Sequence, residues 1–207
     1  MAKIISFISR KGGTGKTTNA INLATMLFNL GHKVALIETD TNYTLSTLRK
    51  MELFKTGAKD ESIFKIIGSE DQKVIDDIKN LDDTVKLDYV IVDSAGKTTD
   101  ESIRKLCVES DAVIVPTSLT QNDLLVTYQT VEDLKPAKEH NNQLKIIILP
   151  NRIHSLTKSK TVKTALEDLE VSILDTIVPA KNLYANFSTI LPEKEYLNAT
   201  KEIIEMI

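Results

Sequence analysis

The sequence predicts an α/β fold, a doubly wound and mostly parallel sheet flanked by helices, with residues 1–207 forming a single domain. Three observations predict it. Short runs rich in β-branched residues, apolar on both sides, recur along the chain, as in strands covered on two faces. Stretches with apolar residues at helical spacing separate them and supply the crossovers that parallel strands require. Glycines, carboxylates and amides follow directly on the apolar runs, at the strand ends where ligands bind in such sheets.

The elements follow in order. Ile4–Ile8 is the first strand. After the glycine-rich stretch Lys11-Gly12-Gly13-Thr14-Gly15-Lys16-Thr17-Thr18 comes a helix from Thr17 to Asn29, with Ile21, Ala24 and Phe28 on one face and Gly31 as its stop. Val34–Ile37 is a strand ending in Glu38-Thr39-Asp40-Thr41-Asn42. Thr44 to Lys59 places Leu45, Leu48 and Met51 at helical spacing, and Glu61–Ile67 and Asp71–Leu81 read as short amphipathic helices. Tyr89–Val92 is a strand delivering Asp93-Ser94-Ala95-Gly96, followed by a helix from Thr98 to Ser110. Ala112–Val115 is the next strand, and Gln121 opens a long helix in which Asp123 suits the first turn. Lys145–Leu149 is a buried strand leading to Asn151 and Arg152, with a weaker strand near Ile177-Val178. The tail carries Tyr184, Leu191, Tyr196, Ile203 and Ile204 in helical patterns that suit a packing helix.

Composition narrows the function classes. Hydrophobic residues make up 42% and charged residues 27%, as in an ordinary globular protein, and a net charge of −3 gives no overall steering toward nucleic acid. Any DNA contact must come from a local patch, of which Arg152, Lys158, Lys160 and Lys163 form the densest, or from an assembled dimer. One cysteine, Cys107, excludes an internal disulfide and suits a packed thiol. The N-terminal apolar run breaks at Arg10-Lys11, too early for a signal peptide, and no run approaches the ~18 residues of a membrane span. The expectation is a cytoplasmic protein with no membrane partner.

The glycine stretch fits the phosphate-binding pattern G-x-x-x-x-G-K-[ST] at Gly15-Lys16-Thr17, with Arg10 standing where the first glycine would fall. Glycines let main-chain N–H groups converge on an anion, and the following helix start adds unpaired donors and a positive dipole end. Lys16 supplies charge to the β/γ-phosphates and the Thr17 hydroxyl suits Mg²⁺. Asp93, a lone carboxylate at the end of an apolar strand, suits the same cation. Asp40 can orient a water or hold a metal-bound one, or else serve as a loop carboxylate.

With Lys11 before the glycine pair, this stretch resembles the deviant Walker A motif of the ParA/MinD family of ATPases, and Asp93-Ser94-Ala95-Gly96 resembles the corresponding turn of the short ParF-like partition ATPases. The resemblance covers residues 3 to about 206. It implies ATP and Mg²⁺ as ligands, with Gly12, Gly13, Thr14, Gly15, Lys16, Thr17 and Thr18 cradling the phosphates and Thr17, Asp40 and Asp93 around the cation. It implies that Lys11 reaches the nucleotide of a second subunit, so that Lys11, Lys16 and Asp40 carry the catalysis. It implies Asn151 at the adenine edge, Arg152 stacked on the base or facing DNA, and Pro179 lining the base pocket. Glu38, Thr41 and Asn42 depart from the family's Asp-x-Asp-Pro-Gln.

Two functions follow from the resemblance. One is a partition ATPase that dimerises on ATP, binds DNA without sequence preference, answers to a centromere-binding, ParB-like partner and associates with the nucleoid; with the loop so near the first residue, no helix-turn-helix domain is expected before it. The other is a positioning ATPase acting on a protein cargo without DNA.

Overall fold

The computed structural model describes residues 2–70, 72–96, 100–181 and 187–207. The expectations placed on Asp71, Thr98 and Tyr184 lie outside them. A parallel sheet in the order β3-β2-β4-β1-β5-β6-β7 forms the middle layer, built from β1 (Lys3–Phe7), β2 (Val34–Glu38), β3 (Lys65–Gly68), β4 (Tyr89–Asp93), β5 (Ala112–Thr117), β6 (Lys145–Ile153) and β7 (Ser172–Ile173); β8 (Val178–Pro179) pairs with the far end of β6. This is the doubly wound, mostly parallel α/β architecture that the alternating pattern predicts.

Alternation within each strand assigns the two faces. Ile5, Phe7, Leu36, Ile91, Ile114 and Ile147 point into one buried cluster. That cluster is completed by α1 (Lys16–Asn29), α2 (Thr44–Thr56) and α7 (Tyr196–Met206). Ile37, Val90, Val92, Val113, Val115, Ile146 and Ile148 point into the other. It is closed by α3 (Val74–Val85), α4 (Asp100–Glu109), α5 (Gln121–Leu134) and α6 (Ser159–Leu166). Cys107 is buried in the second cluster, where loss of hydration pushes its thiol up to about 12.

One expectation is corrected. Glu61–Ile67 is not a helix: Lys65–Gly68 forms edge strand β3, paired in parallel with Ala35–Glu38 of β2. Ile63, Ile66 and Ile67 fit helical spacing, but without β3 the edge of β2 would be left with unpaired main-chain groups. β6 runs past Leu149 to Ile153, so the end of the strand itself carries Asn151 and Arg152, with Asn151 opposite Val178 of β8.

All strands run parallel, and the side to which successive strands are added switches beside β1. β1 lies between β4 and β5, with β2 and β3 to one side and β6 and β7 to the other. The carboxyl ends of β1, β2 and β4 therefore converge, and their loops meet over one site.

Candidate functional site

The phosphate loop bends where its glycines allow it. Gly13 (φ 77°) and Gly15 (φ 96°) are left-handed, and Gly15 occupies the N-cap of α1 without any side-chain cap. The first N–H groups of α1 are thereby left for a ligand. A Cβ at Gly15 would run into the Asn151 amide and close on that of Asn19. Thr14 is buried and its hydroxyl has no partner.

Three strand ends are laced together under this loop. Ser94 donates its hydroxyl to the Phe7 carbonyl at 2.6 Å, and Ala95 N–H donates to the Thr39 hydroxyl at 2.9 Å. Gly96 lies 3.6 Å from the Gly12 Cα and 3.7 Å from Lys16 Nζ, measured from the place its Cβ would take. The result is a cavity of about 890 Å³ lined by Gly12, Gly13, Lys16, Thr17, Asp40 and Asp93. Arg10, Thr39, Glu70 and Gln72 also line it, and the sequence pattern assigned none of these four. Arg10 could have been found, since it fills the slot of the missing glycine. Glu70 and Gln72 could not, because they reach the mouth only through β3.

Electrostatics mark the centre of the cavity. Asp93 is 3% exposed, its Oδ1 has no partner, and burial pushes its carboxyl up to about 7 against the opposing pull of Thr17 and Lys16. Lys16 is 7% exposed and, among the described residues, makes long contacts to the carbonyls of Ser9 (3.4 Å) and Lys11 (3.3 Å). Burial lowers its pKa, while Asp93 and Asp40 raise it. A buried carboxylate oxygen and a buried ammonium, both short of partners, fit a site that completes itself with a cation and a polyanion. Asp40 faces the same space and uses Oδ1 to hold the Asn42 N–H at 3.0 Å.

The other expected residues surround the loop in different ways. Lys11 turns away from its own loop and pairs with Asp123 at 2.6 Å. Asn151 is 4% exposed and donates its amide to the Thr14 carbonyl at 2.7 Å, supporting the phosphate loop. Arg152 is left-handed (φ 56°) at an irregularity between the Asn151–Val178 and Ile153–Pro179 pairs. That bend brings its exposed guanidinium onto the Gly13 carbonyl at 2.6 Å. Pro179 sits in β8, and neither it, Asn151 nor Arg152 lines the cavity. Thr18 lies in the first turn of α1 and accepts the Asn22 amide on its carbonyl. Glu38 leaves the site altogether: its carboxylate accepts the N–H groups of Leu45 (2.9 Å) and Ser46 (3.0 Å) and caps α2.

Comparison with known proteins identifies the family. The family model described as VirC1 protein matches residues 2–193. The chain is 26% identical over 174 residues to the protein virC1 of Rhizobium rhizogenes, covering 83% of this chain and 73% of that one. It is 25% identical over 178 residues to the maintenance of carboxysome distribution protein A of Halothiobacillus neapolitanus, covering 85% and 79%. A plasmid partition protein of Borrelia burgdorferi shares the fold, with a TM-score of 0.68 over the whole of both chains at 21% identity.

Proposed function

The chain belongs to the VirC1 family, within the ParA/MinD class of P-loop ATPases, and on that premise we propose that it is a DNA-partition ATPase that pairs with a second copy on binding ATP. The observation that carries this reading is the division of labour between the two loop lysines. Lys16 is buried in its own phosphate loop, whereas Lys11, with 38% of its side chain exposed, stands outside on Asp123. A lysine so placed serves a neighbour's nucleotide better than its own.

In this reading ATP takes the cavity with its phosphates on Gly12–Thr17. Thr17 and Asp93 would hold Mg²⁺, which would supply positive charge to the phosphates. Asp40 orients the water that attacks the γ-phosphorus; the bond to the β,γ-bridging oxygen breaks, giving ADP and phosphate. Lys16, and Lys11 from the second copy, stabilise the charge that develops on the departing oxygens. Turnover is slow in the lone chain, because Lys11 acts only between copies, and a ParB-like centromere-binding protein accelerates it. The ATP pair holds DNA through Lys158 and Lys160, doubled across the assembly, and so associates with the nucleoid in the cytoplasm.

The test is a gel-shift assay on duplex DNA of arbitrary sequence. The wild type shifts it with ATP and not with ADP, and Lys11→Ala does not shift it with either. Retardation indifferent to nucleotide and to Lys11 refutes the partition reading. One observation favours a second reading, a positioning ATPase acting on a protein cargo as the name of its Halothiobacillus relative suggests: Lys163 of the basic cluster is already paired with Asp175. An ATP-dependent dimer that leaves DNA unshifted selects it.

A further inference from the structure

We infer that Arg10 is a positioning residue for hydrolysis: its guanidinium fixes the phosphate loop against the first turn of α4 and the last turn of α5, and so sets where the Asp93 loop and Lys11 stand relative to the γ-phosphate. The inference rests on the ATPase reading above.

Three contacts converge on this residue. Its Nη2 donates to Asp100 in the first turn of α4 at 2.9 Å, and its Nε pairs with Asp133 near the end of α5. Its main-chain N–H points at the Thr130 hydroxyl at 3.5 Å. The next residue, Lys11, holds Asp123 in the first turn of α5. Two adjacent loop residues thus grip α5 at points ten residues apart, about 15 Å along its axis. Arg10 also lines the nucleotide cavity and a smaller cavity of about 130 Å³ that it shares with Ser94, Ala95, Gly96 and Ile103. It is therefore wedged between the phosphate loop and the loop that follows the metal-binding carboxylate.

Stability does not account for this arrangement. The side chains of Arg10, Asp100 and Asp133 are 41%, 73% and 42% exposed, and exposed pairs contribute little. What the planar guanidinium adds is geometry, since its rigid fork holds two carboxylates from two helices at fixed directions. Lys11 must leave Asp123 to reach a second copy, and during that exchange Arg10 remains the tie between the loop and α5.

The experiment measures steady-state ATP hydrolysis, the affinity for a fluorescent ADP analogue and the melting temperature. The proteins are the wild type, Arg10→Gln, Arg10→Lys, Asp133→Asn and the Arg10→Gln/Asp133→Asn double variant. Arg10→Gln is expected to lower kcat by about five- to tenfold, with KM and ADP affinity within about twofold of the wild type. Its melting temperature is expected to move by less than about 2 °C. Arg10→Lys recovers part of the loss. Asp133→Asn alone lowers kcat, but adds less than about twofold when combined with Arg10→Gln. Lys135→Gln, which breaks the adjacent Lys135–Glu132 pair at 2.6 Å, leaves all three readings unchanged. Turnover of Arg10→Gln within about twofold of the wild type, or a loss matched by falling nucleotide affinity and melting temperature, overturns the inference. An inactive wild type overturns the ATPase reading and this inference with it, whereas an active wild type indifferent to Arg10→Gln overturns only the role of Arg10.

Discussion

Asp93 shows how much chemistry one burial decision commits. A carboxyl whose folded pKa stands at about 7, against its ordinary 3.8, keeps its proton in the folded chain where the unfolded chain has lost it. Its contribution to stability is fully present below about pH 4 and is lost as pH rises through about 7. At pH 8 the ligand-free protein carries a desolvated anion with an unpartnered oxygen. Asp93→Asn is therefore expected to raise the melting temperature of the ligand-free protein at pH 8 by about 2–4 °C, roughly 1 kcal/mol, and by less at pH 5. The same change removes the extra stabilisation that Mg²⁺ gives in the presence of ADP. Calorimetry at both pH values checks this; a fall in melting temperature at pH 8 would show that Asp93 stabilises the empty site.

At the scale of elements, the loop after β2 is organised by a carboxylate that does not line the cavity. Tyr43 at the N-cap of α2 is left-handed and supplies no side-chain acceptor. Glu38, 1% exposed, reaches forward seven residues to satisfy Leu45 N–H, and Ser46 N–H as well. An aspartate would be one methylene short of that reach. Removing this cap while leaving two donors without a partner costs about 2–4 kcal/mol. Urea unfolding of Glu38→Ala is expected to show that loss, and Glu38→Gln, which keeps one acceptor, about 1 kcal/mol. A Glu38→Ala variant as stable as the wild type would deny that the cap matters. The order of the neighbouring elements was legible only in part. The spacing of Ile63, Ile66 and Ile67 suits a helix as well as a strand, and the open edge of β2, a long-range fact, chose the strand.

The whole molecule is a scaffold that presents one face. The carboxyl ends of β1, β2 and β4, the start of α5 with Asp123, and the Arg152 bend all lie around the phosphate loop. No helix among the described residues is long and apolar enough to cross a membrane. If that face receives a second copy, light scattering of the 23.1 kDa chain is expected to report roughly twice that mass with ATP and Mg²⁺, and the single-chain mass with ADP. Lys11→Ala stays single with either nucleotide. Asp123→Asn, which frees Lys11 from its resting partner, pairs at about threefold lower protein concentration. A chain that remains single with ATP at every concentration tested would rule out the shared site.

The sequence by itself determined the layered α/β fold, the phosphate loop, the buried strand that delivers Asp93 and the family. Each of these is written in local spacing: two-sided apolar runs, glycines where the main chain must approach an anion, a lone carboxylate at a strand end. Only the tertiary structure decided that Glu38 caps a helix, that Asn151 and Arg152 grip the phosphate loop from behind, that Lys11 rests on Asp123, and that Arg10 binds two helices at once. A long polar side chain has many partners within reach. Which one it meets depends on which strand ends the sheet brings together, across separations of up to 139 residues for Arg152 and Gly13.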